Sequence, residues 1–196
     1  MPDQIYRDAK NFGWDLPKLE KEGKFKLICT TPNLLLEEDG AEIILGEPIK
    51  EINAKRIVID SITHLEMFIP PIDMRKEAYR LLRFLKVKGL SSMCLWESTQ
   101  TIGLSIAVTE FGISFLVDCI ILLNTVEIES TMRKALVIMK MRGSNHDKRL
   151  REFEITSNGI NVLAPFRDYE GVITGTPRKS VTDELAKAWI SNFGKK

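Results

Sequence analysis

One nine-residue block gathers several groups that could handle a polyphosphate, Lys140-Met141-Arg142-Gly143-Ser144-Asn145-His146-Asp147-Lys148. It carries three cations, one hydroxyl and one of the chain's two histidines, and Gly143 lets the backbone turn. Arg and Lys would supply charge to phosphate oxygens, Ser and His direction. The competing reading is a solvated basic turn between two strands, a common kind of loop. Asp60 is a second candidate. It ends the run Arg56-Ile57-Val58-Ile59 as a Walker B carboxylate does, where it holds Mg²⁺ directly or through water. An Asp in that place is also an ordinary turn former or N-cap. Glu97, after Ser91 to Trp96, could orient water or pair with a cation of another subunit, or simply mark a solvated strand end. A Walker B strand calls for a partner loop, G-x-x-x-x-G-K-[ST], and none occurs. Gly23-Lys24 and Gly194-Lys195 lack both the upstream glycine and the following Ser or Thr.

The elements that must position these groups read as a mixed α/β chain. Gln4 to Asn11 and Lys18 to Glu22 are expected helices, with Gly23 ending the second. Phe25 to Cys29 alternates like a strand, Thr30 to Gly40 is a loop, and Pro48 to Asn53 is helical. Consecutive β-branched residues at 57–59 predict a strand buried on both faces. Met74, Ala78, Leu81, Leu82 and Leu85 place one apolar stripe on a helix from Ile72 to Lys88, stopped by Gly89. A buried strand, Ser91 to Glu97, follows, and this helix–strand alternation predicts a mostly parallel sheet. Ser98 to Ser114 reads as a functional loop. Phe115 to Asn124, Ala135 to Met141, Arg151 to Ile155 and Ile160 to Leu163 have no helices between them, so the sheet should finish in antiparallel additions. Pro165 to Lys179 is irregular, and Val181, Leu185, Ala188 and Trp189 mark a final amphipathic helix.

Composition narrows the classes. A net charge of +1 argues against a general nucleic-acid or anionic-membrane surface. No cation occurs between Gly89 and Met132, so a DNA-binding central loop is not expected. No apolar run is long enough to span a bilayer, and Met1-Pro2-Asp3-Gln4 does not start a signal peptide. Cys29, Cys94 and Cys119 read as buried thiols of a reducing cytoplasm.

Several segments together resemble the circadian-clock KaiC group of RecA-superfamily ATPases, and in particular its second, C-terminal ATPase domain. They are Asn11-Phe12-Gly13-Trp14-Asp15, Ile57 to Ser61, Asp118 to Leu123, Val126-Glu127-Ile128, and Lys140 to Lys148 joined to Arg151-Glu152-Phe153. The resemblance implies a RecA-like P-loop NTPase fold over residues 1–166 and a regulatory-type tail over 167–196. It implies ATP and Mg²⁺ as ligands, bound at the subunit interfaces of a cytoplasmic hexameric ring that serves signal transduction. Lys140 and Arg142 would act in trans on the γ-phosphate of a neighbour's nucleotide. Met141, Ser144, His146 and Lys148 would line that nucleotide, Asn11 would lie near its base or ribose, and Asp60 would be the Mg²⁺ carboxylate.

The likeness begins just after the family's paired catalytic glutamates. The first strand, the P-loop and the general base therefore fall outside it, a pattern produced by a misplaced start, a split gene or a P-loop-less paralogue. No turnover by this chain alone is expected, and the alternative role is a non-catalytic subunit completing the site of a P-loop-bearing partner. An open apolar surface is the structural corollary. Ser114 matches the serine of the family's phosphorylated Ser-Thr pair, but Phe115 replaces the threonine. An ordinary loop serine is the favoured reading there.

Overall fold

The first two helices take their ends from side chains and turns that the sequence supplies. α1 (Pro2–Asn11) leads to Asp15, whose carboxylate caps α2 (Leu16–Lys21) by accepting the Lys18 N–H at 3.0 Å. The Tyr6 hydroxyl donates to Glu20 at 2.7 Å and ties the two helices together. Beyond α2 the N–H groups of Gly23 and Lys24 return to the carbonyls of Glu20 and Leu19, each at 2.9 Å. The computed structural model describes residues 2–97, 114–167, 169–173 and 177–179. The chain divides into two compact units, residues 1–97 with 107–116 and residues 98–106 with 117–196.

In the first unit the strand expected at Phe25 to Cys29 does not form. The Leu27 N–H goes to the Glu20 carboxylate at 3.2 Å and Lys26 pairs with Glu51, so side chains take the role a neighbouring strand would have played. Alternation alone supplies no ladder partner. The loop read at Thr30 to Gly40 contains a short helix, α3 (Pro32–Leu36). A π-helical turn, Glu42–Gly46, then runs into α4 (Glu47–Glu51).

β1 (Arg56–Ile59), a 3-10 turn at Ile62–Met67, α5 (Pro71–Val87) and β2 (Ser91–Cys94) follow in order. β1 and β2 pair in parallel, with Ile59 opposite Cys94. The expected stripe of α5 is the buried one: Met74, Ala78, Leu81, Leu82 and Leu85. Met74 and Leu81 pack with Ile62 and Leu65, and Leu85 packs with Leu45 and Leu90. Each such side chain contributes about 1.5–3 kcal/mol through burial. Burial of β1 on both faces is corrected: Ile57 and Ile59 are half-buried, but Val58 is 62% exposed and Met93 on β2 is 54% exposed. Among the described residues, helices cover only the side of this two-stranded sheet that Ile57 and Ile59 face.

The second unit is a four-stranded antiparallel meander in the order β3 (Cys119–Ile128), β4 (Thr131–Met141), β5 (Arg151–Thr156), β6 (Gly159–Pro165). A small pair, β7 (Tyr169–Glu170) and β8 (Arg178–Lys179), makes a separate sheet. Val126, Ile128, Ala135 and Val172 form the buried cluster here, with Leu150 and Phe166 against it. The opposite face of the meander is apolar and exposed at Ile121, Leu123, Ile155, Ile160 and Val162. Glu129 and Ser130 join β3 to β4 in a two-residue turn, both with left-handed φ (50° and 58°).

The structure is thus mixed α/β with partly antiparallel sheets. Antiparallel strands occur where expected, but the expectation that they extend the parallel sheet is corrected: among the described residues β3 to β6 form a sheet of their own, and parallel pairing is confined to β1 and β2. β3 starts later than the sequence suggests because residues 114–116 turn and belong to the first unit. The Arg75 guanidinium lies 4.6 Å from the centroid of the Phe115 ring, and the Lys86 ammonium donates to the Leu116 carbonyl at 3.2 Å. The cysteine reading is corrected too: Cys29 and Cys119 are exposed, one in coil and the other on the outward side of β3, and only Cys94 is largely enclosed. The expected final helix, and residues 98–113 of the expected functional loop, lie outside the described residues. Among the described residues no helix is long and apolar enough to cross a membrane.

Candidate functional site

In the second unit the block from Lys140 to Lys148 begins at a strand end that carries a bulge. β3 and β4 are in regular register until Ile121 faces Ile138; the next pair is Ile120 with Lys140, so Met139 is an extra residue. A bulge turns the following side chains to the other face of the strand. Without it, Lys140 and Arg142 would share the outward face with Leu136 and Ile138. With it they point to the same side as Ile120. The Lys140 ammonium donates to the Val117 carbonyl at 2.8 Å. The Arg142 backbone N–H donates to the Asp118 carbonyl at 2.7 Å, and its guanidinium to the Asp118 carboxylate at 3.0 Å. Both side chains of that ion pair are more than half exposed (53% and 58%), so the bond is worth about 0–1 kcal/mol and exchanges readily for another anion.

Beyond Met141 the chain turns at Gly143, whose φ of 75° suits a residue without a Cβ. Ser144 and Lys148 are exposed. His146 is half-buried; its backbone N–H donates to the Asn145 side chain at 3.0 Å, while its Nδ1 is enclosed without a hydrogen-bond partner. Asp147 collects donors from Arg149 and Arg151. Hydrogen bonds from the Arg149 side chain, then its backbone N–H, then Arg151 hold the Asp147 carboxyl well below the usual carboxylate range. The same carboxylate raises Arg149 in turn.

The first unit holds the acidic candidates and Asn11. Asp60 is exposed at the C-terminal end of β1, next to the parallel strand β2, where open α/β sheets place their ligands. Buried Ser61 follows, its hydroxyl 3.1 Å from His64 Nδ1. Glu97 is exposed beyond β2, and its N–H donates to the Thr63 hydroxyl at 2.8 Å. Asn11 is the exposed last residue of α1, and Ser114 is half-buried in the 114–116 turn. Among the described residues no group of three or more His, Cys, Asp or Glu side chains could enclose a metal. A lone exposed carboxylate fits Mg²⁺, which keeps several waters and takes one or two carboxylates beside substrate phosphates.

The expected cations thus lie in the second unit, and the expected carboxylates Asp60 and Glu97 in the first. The sequence reading was silent on three features: the bulge at Met139, the Asp118 partner of Arg142 and the Asp147–Arg149–Arg151 cluster. The alternate spacing of 147, 149 and 151 was the available signal for the last.

The family model described as "ATPase: KaiC" matches residues 1–166. Circadian clock protein KaiC3 of Synechocystis sp. is 32% identical over 185 residues, covering 94% of this chain and 36% of that protein. The circadian clock oscillator protein KaiC of Thermostichus vulcanus is 35% identical over 181 residues, 92% of this chain and 35% of its own length. That of Nostoc sp. is 34% identical over 184 residues, with 94% and 35% covered. The chain spans about a third of the length of these relatives.

Proposed function

Because the chain belongs to the KaiC family of ATPases, we propose that it serves as one side of an ATP site formed between subunits of a ring. Residues 1–166 are the ATPase-type module in this reading and 167–196 a tail. The cations of the β4 end, Lys140 and Arg142, act in trans on the γ-phosphate of a neighbour's nucleotide. Met141, Ser144, His146 and Lys148 line that nucleotide, and Asn11 approaches a base or ribose. Asp60 takes Mg²⁺, which would neutralise charge on the bound phosphates. Cations delivered from outside stabilise the charge that spreads over a transferring phosphoryl group. The observation that carries the reading is the bulge that turns Lys140 and Arg142 to one face, with Arg142 on an easily exchanged carboxylate. Ser114 is here an ordinary turn serine. The ring is cytoplasmic and, as in the hexameric clock ATPases, made of six subunits.

No G-x-x-x-x-G-K-[ST] loop occurs within these 196 residues, and a second form of the same reading is a regulatory subunit completing the site of a P-loop-bearing partner. The test mixes the chain with a P-loop-bearing family member and follows co-elution and ATP turnover. Turnover should change on mixing, and Lys140→Ala and Arg142→Ala should each abolish the change. Absence of co-elution and of any effect on turnover would overturn the proposal.

A further inference from the structure

Two sets of residues alternate along the loop that leaves β4. Ser144, His146 and Lys148 occupy the even positions and are the ones read above as nucleotide-facing. Asp147, Arg149 and Arg151 occupy the odd positions, and nothing has assigned them a role. Asp147 Oδ1 accepts the Arg149 backbone N–H at 3.0 Å and its Nε at 2.9 Å. Oδ2 accepts Arg149 Nη2 at 3.0 Å and Arg151 Nε at 2.9 Å. Arg151 Nη1 continues to the Leu163 carbonyl on β6 at 3.0 Å. One carboxylate thus gathers two guanidinium forks, and one of those forks is fastened to the sheet. Such two-pronged pairs fix direction as well as distance.

We propose that Asp147 is a positioning residue: its clasp with Arg149 and Arg151 anchors the loop to β5 and β6 and so holds His146 and Lys148 ready for a nucleotide polyphosphate. The inference rests on the interface-site reading above. Asp147 touches no phosphate in this arrangement; it acts by removing freedom that the flanking residues would otherwise lose on binding. A free loop with the same charges would bind the same anion more weakly.

The sign of one substitution separates positioning from charge. Asp147→Ala deletes a negative charge beside an anion site, so electrostatics alone tightens binding. A lost clasp weakens it. NMR titration of the isotope-labelled full chain with Mg·ATP, in the presence of the P-loop-bearing family member, reads the dissociation constant from amide shifts at residues 140–149. Asp147→Ala is expected to weaken binding about tenfold despite the charge change, and Asp147→Glu to recover part of the loss. Arg149→Lys keeps the charge but removes the fork, so it too should weaken binding; it stands in if Asp147→Ala does not fold. Lys140→Ala is the control for the site itself. If it weakens binding while Asp147→Ala and Arg149→Lys bind as well as the wild type or better, the clasp has no positioning role and this inference alone falls. Should Lys140→Ala bind like the wild type, or the wild type show no shifts in the block, the site reading falls and takes the inference with it.

Discussion

Asp60 and Arg142 both stand at strand ends, but the two units hold them by different means. In the first, the strand that carries Asp60 is fixed by apolar packing: Ile57 and Ile59 lie against the cluster of Leu45, Leu85 and Leu90. In the second, Lys140, Arg142 and the loop beyond are fixed by directional polar bonds to Val117, Asp118, Arg149 and Arg151. Packing makes a rigid platform that ignores pH and salt. Ion pairs at the surface make a seat that answers to both. Under the proposed function, the Mg²⁺ carboxylate would draw on the first kind of support and the phosphate-facing cations on the second.

The largest effects should come from the two charged ends, and they should differ in kind. Arg142→Ala is expected to lower ATP turnover of the assembled site by about 10³-fold at unchanged Mg²⁺ requirement. Asp60→Asn should instead raise the Mg²⁺ concentration needed for half-maximal turnover. Identical Mg²⁺ titrations for the two variants would erase the distinction between the units.

Core truncation comes next. Leu85→Ala, at a fully buried position of α5, should reduce unfolding free energy by about 2–5 kcal/mol in urea titration. The same change should leave an Arg142-dependent Mg·ATP shift intact in the folded fraction, because polar bonds hold that end.

The platform unit also contains Cys94, whose thiol burial pushes up to about 11. At pH 8 it should therefore alkylate about a hundredfold more slowly than an ordinary thiol. Exposed Cys29 and Cys119 should label first, as mass spectrometry of timed digests would show. Rapid labelling of Cys94 would mean that the packing around β2 opens easily.

The smallest effect concerns acid. The Asp147 carboxyl is depressed in the folded state, so its contribution to stability is present above the unfolded-state value and is lost only as pH falls through the lower folded one. The clasp should thus survive from pH 7 to about pH 4 with little change in the amide shifts of residues 145–151. A titration of those amides centred near the ordinary carboxylate value would show that the pairing is transient.

The same contrast explains what could be read beforehand. The stripe of α5, the stop at Gly89 and the strand carrying Asp60 are local patterns, and local patterns survive in sequence. The clasp and the Arg142–Asp118 pair depend on which side chains meet after the bulge at Met139, and a single extra residue leaves no period to detect. Phe25 to Cys29 failed for the related reason that a strand exists only with its neighbour.

The Glu129–Ser130 turn offers an opening for redesign. Both residues sit in left-handed backbone that β-hairpins ordinarily give to Asn and Gly. Glu129 has a reason to stay, since Lys179 and Tyr169 both bond to it and hold its carboxyl low. Ser130→Gly removes the side chain from a strained backbone and should add about 1 kcal/mol. Because a two-residue loop closes its hairpin early, the gain should register as faster refolding, making this turn the place to begin a sturdier version of the second unit.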